Sequence, residues 1–230
     1  FFARDQAYLN SINLSAQELR TNYHNADIDN YMAAVEHVAS RGIFALRMGQ
    51  IVECKLSSTS PLIIDYANEF RSDFGDAYLA AHCKFFLGCN SGMMAMAYIF
   101  DVPTAFANVG QIRPFPIGQK DLYIPKKIWS IQENRILTFG EMIRLGNPWR
   151  QSADPSKVGF RALENSPEEI MALTMEMNSR LDGRWVETEE DIELTNGCKL
   201  ISKSNVSGIR GGAKLHKRYD LIVLDDFEHE

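Results

Sequence analysis

No uninterrupted apolar run in this chain approaches the roughly 20 residues of a membrane-spanning helix. The opening Phe1-Phe2-Ala3-Arg4-Asp5 lacks the charged n-region of a secretory signal. Cysteine is scarce and scattered. Cys54, Cys83, Cys89 and Cys198 show neither CxxC nor Cys/His spacing, which argues against a zinc site or a disulfide frame and fits a reduced, cytoplasmic compartment. Positive charge is in deficit: 24 Lys plus Arg stand against 30 Asp plus Glu, a formal net charge of −6. That balance argues against a nucleic-acid partner held by bulk electrostatics. Internal repeats and low-complexity segments are missing too.

What remains is a globular composition. Of the 230 residues 45% are hydrophobic, enough for one substantial core or two small ones. The chain starts without Met and inside an apolar run, and so reads as a fragment or as a chain whose beginning lies before Phe1.

Periodicity supplies the organisation. Phe1 to Arg4 reads as a short buried strand, followed by a polar stretch to about Asn25. Asp27 or Asp29 can cap a helix through Arg41, because Tyr31, Val35 and Val38 recur at helical spacing and Gly42 suits the position past its end. Ile43 to Leu46 and Leu62 to Ile64 read as central parallel strands, closed by Arg47 and Asp65. Ser72 or Asp73 starts the next helix, Lys84 to Leu87 the next strand, Met93 to Phe100 a helix and Thr104 to Ala107 a strand. Alternation of this kind implies an α/β fold, a Rossmann-like parallel sheet with helices on both faces, over residues 1–108. Residues 109–230 read as an irregular excursion with one short extended piece, Leu122-Tyr123-Ile124, and C-terminal helices packed on the same domain. Ser166-Pro167-Glu168-Glu169 predicts a capping box and a helix to about Leu181. Glu187 to Leu194 reads as a short acidic helix, and the acidic tail around Asp225-Asp226 as solvated surface.

Ligands of open parallel sheets bind at the carboxyl ends of the strands. Arg4 and Asp5, Arg47, Asp65, the turn Asn90-Ser91-Gly92 and Asn108 all fall at such ends. At Ser91-Gly92 small residues allow close approach to helix N–H groups and to the positive end of the helix dipole, which suits a phosphate. The plainer alternative is that Ser91 caps the helix and Gly92 turns the chain. Arg4 and Arg47 match phosphate oxygens in bidentate fashion, although each can equally pair with Asp5 or Asp65. Arg71 at a helix start can pair with Glu69 or reach a ligand. His37 and His82 read as packing or surface residues.

The residues Asn25 to Tyr31, Arg47-Met48-Gly49, Ile64-Asp65-Tyr66-Ala67, Arg71-Ser72-Asp73-Phe74 and Phe85 to Gly92 resemble a family of bacterial GT-B-type glycosyltransferases from surface polysaccharide gene clusters. The resemblance runs nearly collinear from about Phe1 to Ser179. It includes Arg4-Asp5 with Tyr8, Tyr123-Ile124-Pro125-Lys126 and the helix start Asn165 to Ile170. More distantly, the strand-Ser-Gly-helix unit is similar to the donor phosphate site of heptosyltransferases and nucleotide-sugar 2-epimerases. The resemblance implies a nucleotide-sugar donor as substrate with no further cofactor or metal, a glycan acceptor, and donor contacts from Arg4, Arg47, Asp65, Arg71, Asn90, Ser91, Gly92 and Asn108. It also implies a cytoplasmic location, peripheral at the inner membrane. GT-B enzymes have two Rossmann-like domains and this chain shows one clear sheet, so an N-terminal domain or partner chain would complete the cleft and bring the catalytic base. Two further readings stand beside it: a 2-epimerase or hydrolase of nucleotide sugars, and a non-catalytic nucleotide-sugar-binding module. No His close in sequence to Ser91 supports the epimerase.

Overall fold

The computed structural model describes residues 1–11, 23–110, 118, 120–146, 148, 159–182, 192–193 and 199–200. In chain order the elements that carry the first layer are α1 (Ala7–Ser11), α2 (Asp29–Ser40), β1 (Ala45–Leu46), β2 (Ile63–Ile64), α3 (Tyr66–Glu69) and α4 (Asp73–His82). They continue with β3 (Phe86–Gly88), α5 (Gly92–Ile99), β4 (Thr104–Val109) and β5 (Leu122–Pro125).

The strands run parallel wherever these elements pair: β1 with β2, β3 with β4, and β4 with β5. The opening residues join the two sets. Phe1 donates its amine to the Leu46 carbonyl at 2.7 Å and accepts from the Met48 amide at 2.8 Å, the hydrogen-bond pattern of a parallel ladder. On its other side the Phe2 amide donates to the Leu87 carbonyl at 2.9 Å, and Phe2 bridges Gly88 in parallel. The lateral order is therefore β2, β1, opening segment, β3, β4, β5. Leu122-Tyr123-Ile124, expected as an isolated extended piece, is a full member of the sheet, since its amides and carbonyls find β4.

Strand residues alternate between two buried faces. Ala3, Leu87, Cys89, Ala105 and Ala107 pack with Tyr31 and Ala34 of α2 and with Ile170, Leu173 and Met177 of α7 (Pro167–Leu181). Phe2, Leu46, Ile64, Phe86 and Phe106 pack the opposite way, against Met94 and Ala97 of α5, Leu79 of α4 and Tyr66 of α3. A sheet covered on both faces explains why its strands read as continuous apolar runs. Small residues dominate where α2 and α7 press close and large ones where α5 covers the sheet. The caps hold as expected: Ser72 Oγ accepts from Gly75 N at 3.0 Å, and Ser166 with Glu169 forms the capping box of α7. Gly42 takes a φ of +81°, the left-handed conformation that ends α2. The cap of α2 itself is looser, with Asp27 Oδ1 accepting from the Asp29 amide at 3.0 Å.

A second, antiparallel sheet was not foreseen. β6 (Lys127–Ser130) lies between β7 (Arg135–Ile136) and β8 (Phe160–Leu163), and α6 (Phe139–Leu145) closes a small core of Ile128, Leu137 and Met142. Arg135 clasps Glu141 at 2.9 and 2.7 Å while Thr138 caps α6, and both hold the Glu141 carboxyl well below the usual carboxylate range. The acidic helix expected over 187–194 falls largely outside the described residues. Its Ile192–Glu193 (β9) instead forms a strand antiparallel to Lys199–Leu200 (β10), whose backbone satisfies the groups a helix would have paired internally. The Asp225-Asp226 tail lies outside the described residues. Among those residues no helix is long and apolar enough to cross a membrane.

Candidate functional site

Parallel strands deliver their last residues to one edge of the sheet, and α5 begins there. Its cap is Ser91, in extended conformation, whose Oγ accepts from the Met94 amide at 3.3 Å. Gly92 follows as the first helical residue with no left-handed φ, so an unusual backbone angle is not the reason for glycine here. A Cβ built on Gly92 would have nothing within 4 Å. Four residues earlier the situation is opposite. A Cβ on Gly88 would stand 2.8 Å from the Phe86 ring and 3.0 Å from the Phe2 carbonyl, so that glycine is required by the close approach of the opening strand. Gly88 ends the apolar run for packing, whereas Gly92 leaves open space at a helix N-terminus.

Cationic and titratable groups converge beside this turn. The Arg4 amide donates to Cys89 Sγ at 3.1 Å, and the Arg4 carbonyl accepts from Ala26 at 2.9 Å, which brings residues 23–26 over the strand ends. There the His24 ring packs against Tyr23 with centroids 4.0 Å apart, and its Nδ1 lies 3.4 Å from Asn90 Nδ2. A Cβ on Gly110 would touch the Tyr23 ring at 2.6 Å and His24 Nδ1 at 3.3 Å, so the residue after β4 lies directly against the pair. Lys126, the residue after β5, is 5% exposed; its Nζ donates to the Asn25 carbonyl and lies 3.8 Å from Glu164 Oε1.

Burial lowers the pKa of Arg4 and of Lys126 and pushes the Cys89 thiol up to about 11. Burial first, then the charges of Arg4 and Lys126, lowers His24 to about 4. The imidazole is thus neutral at pH 7, and its Nδ1 can accept from the Asn90 amide. An edge that concentrates two cations, a neutral imidazole, an amide and open helix N–H groups is suited chemically to an anion.

The remaining expected residues are drawn together differently. Arg47 is 1% exposed; its guanidinium donates to the Cys54 carbonyl and lies 3.5 Å from Asp65 and 4.0 Å from Asp5. Asp65 in turn accepts from Leu56 N at 2.9 Å and Asn68 Nδ2 at 2.7 Å. This pair ties the loop after β1 to the start of α3. Arg71 pairs with Asp73 at 2.6 Å and with the buried Asp76 at 3.0 Å; Glu69, its expected partner, is not among these contacts, because α4 turns its first-turn acids toward the guanidinium. Asn108 is fully buried with a φ of +56° and exchanges amide contacts with Asn165 at 2.6 and 2.7 Å, while its Nδ2 donates to Tyr31 Oη at 3.2 Å. It fastens β4 to the start of α7 and to α2. Of the eight residues singled out in the sequence, the structure brings Arg4, Asn90, Ser91 and Gly92 to one place. Arg47, Asp65 and Asn108 are buried beneath that edge in contacts of the fold.

His24 and Lys126 were missed. Lys126 carried a signal, a charge closing an apolar strand in Tyr-Ile-Pro-Lys, while His24, 66 residues from Asn90, carried none. A cavity of about 400 Å³ opens at the other edge of the sheet, among Phe1, Val38, Ile43, Phe85 and Leu87. Its lining is mostly apolar, with Lys84 and His82 among it, and it meets neither Arg4, His24, Asn90 nor Lys126. Compared with protein families, with characterised proteins and with solved structures, the chain matches none.

Proposed function

We propose that this chain is the nucleotide-sugar donor-binding domain of a GT-B-type bacterial glycosyltransferase of surface polysaccharide synthesis, working in the cytoplasm or at the inner membrane. The observation that carries the reading is the strand order. Numbered along the chain, the parallel segments lie 3-2-1-4-5-6, the order of doubly wound dinucleotide-binding sheets. In that order the crevice falls between the first and fourth segments, where Arg4 leaves the opening strand and Cys89-Asn90-Ser91 leaves β3. The donor diphosphate would rest on the N–H groups at Gly92, with Arg4 and Lys126 offsetting the charge that develops on the departing nucleoside diphosphate. A second domain or partner would supply the acceptor site and the base.

A specific observation also favours a second reading. His24 beside Asn90 supplies the imidazole that a 2-epimerase or hydrolase of nucleotide sugars requires and that the local sequence lacked. Product analysis separates the two: an epimerase or hydrolase converts a nucleotide sugar without acceptor, and a transferase does not.

Calorimetric titration of nucleoside diphosphates and their sugars into the wild-type chain and the Gly92→Val variant tests the proposal. Because the space at Gly92 is open, the variant is expected to melt near the wild-type temperature yet lose diphosphate binding. Ser91→Ala should be milder, removing one cap worth about 1 kcal/mol of stability. Normal binding by Gly92→Val would sink the cradle.

A further inference from the structure

We propose that His24 is an anion-binding residue of this site which meets the ligand's phosphate as an imidazolium, taking one proton from solvent as the anion settles beside Arg4 and Lys126. The inference rests on the donor-site reading above and adds to it a residue and a proton.

Geometry is the first support. His24 is 9% exposed, yet the groups around it are not those of an ordinary core histidine. Arg4 faces it from the opening strand and Lys126 from the end of β5, and both charges act on the ring. Tyr23 stacks on one side, and Asn90 from the α5 turn touches Nδ1. The carboxylate of this neighbourhood, Glu164, lies behind Lys126, 3.8 Å from its Nζ. The thiol of Cys89 and the phenol of Tyr31 are both held protonated by burial and contribute no charge at neutral pH. The ring therefore sits in a positive field, and among the described residues no carboxylate is paired with it.

Electrostatics then fixes the sign. Burial does most to keep His24 neutral, and the charges of Arg4 and Lys126 add to it; those same charges attract an anion, and a phosphate placed there opposes their effect on the ring. The attraction of the anion offsets the two repulsions and raises the imidazole's pKa, so the free protein binds fewer protons than the complex and binding takes a proton up. Asn90 can serve both states. Its amide nitrogen donates to the neutral Nδ1, and rotation of the same amide presents Oδ1 to a protonated one. A merely structural histidine would stay neutral throughout.

The experiment titrates the diphosphates of uridine, guanosine, cytidine, adenosine and thymidine into the wild-type chain and into His24→Gln. Titrations are run between pH 6 and 8 in buffers of different ionisation enthalpy. Any proton the ligand itself gains is common to both proteins, so the difference between them belongs to His24. The expected result is an uptake approaching one additional proton per ligand in the wild type at pH 6. The affinity ratio of wild type to variant should rise toward the low-pH end by up to about tenfold per pH unit. Binding with the same proton count and the same pH slope in both proteins would overturn the role of His24 while leaving the donor site intact. Failure of the wild type to bind any of the diphosphates would overturn both. Should His24→Gln not fold, imidazole resonances of the wild type report the same event directly: His24 must shift to its protonated position on ligand addition at pH 6, and an unshifted ring refutes the proposal.

Discussion

The two edges of the same parallel sheet differ in kind. The carboxyl edge carries Arg4, His24, Asn90, Lys126 and the start of α5. The amino edge holds the roomy apolar cavity of about 400 Å³, whose charged boundary includes Lys84, paired with Asp182 at 2.5 Å. The strands are common to both edges, so the difference comes from direction. Parallel strands send every C-terminal loop, and the N-terminus of each following helix, to one side. Unpaired N–H groups and converging cations gather there, while the other side receives the ends of apolar strands. Volume and chemistry are thereby separated in one domain.

The comparison can be broken first at Arg47, the buried cation under the polar edge. Arg47→Ala would leave Asp5, Asp65 and the Cys54 carbonyl facing an empty buried space. Urea unfolding should register a loss of about 3–5 kcal/mol, enough to unfold a marginal domain. A loss under about 1 kcal/mol would mean that this guanidinium is held for ligand and not for fold.

Acid is the next lever. Because the folded-state pKa of His24 is lowered to about 4 from an ordinary 6.5, the unfolded chain binds the extra proton between those values. Stability therefore falls as pH drops from 6.5 toward 4, by up to about 3 kcal/mol, and is unaffected by this group above 6.5. Unfolding series at several pH values should show the wild type steeper than His24→Gln across that window. Equal slopes would mean that neither burial nor the charges of Arg4 and Lys126 lower the His24 pKa.

Glycine substitutions sharpen the contrast within a single turn. Gly88→Ala must displace the Phe86 ring or the Phe2 carbonyl and should cost about 1–3 kcal/mol in thermal unfolding. Gly92→Ala, with open space around it, should not destabilise the fold and, as a better helix former, should raise stability by a few tenths of a kcal/mol up to about 1 kcal/mol. The reverse ranking would contradict the positions assigned to both.

The smallest effect is expected at the amino edge. Ala45→Val adds methyl groups beside the cavity and should change stability by less than about 1 kcal/mol, with diphosphate affinity held within twofold of wild type. A larger change in affinity would show that the two edges communicate through β1.

Arg4 and the Asn90-Ser91-Gly92 turn stand out in the sequence because each sits at a boundary where hydrophobicity stops, a local event. Arg47, Asp65 and Asn108 stand out for the same reason, and the structure buries these three in contacts of the fold. A charge at a strand end looks identical whether it faces a ligand or folds back beneath the edge, and only Asp5, Leu56 and Asn165 decide which.

What the sequence determined by itself is the alternation of apolar runs and capped helices, hence an α/β domain with parallel strands, since period and caps are properties of adjacent residues. The tertiary structure decided the lateral order of those strands and the company kept at their ends. Phe1 and Phe2 join strands 44 or more residues away on either side, and His24 meets Asn90, Arg4 and Lys126 across the fold. Such meetings follow from loop closure and two-sided packing around one sheet, which no window along the chain contains.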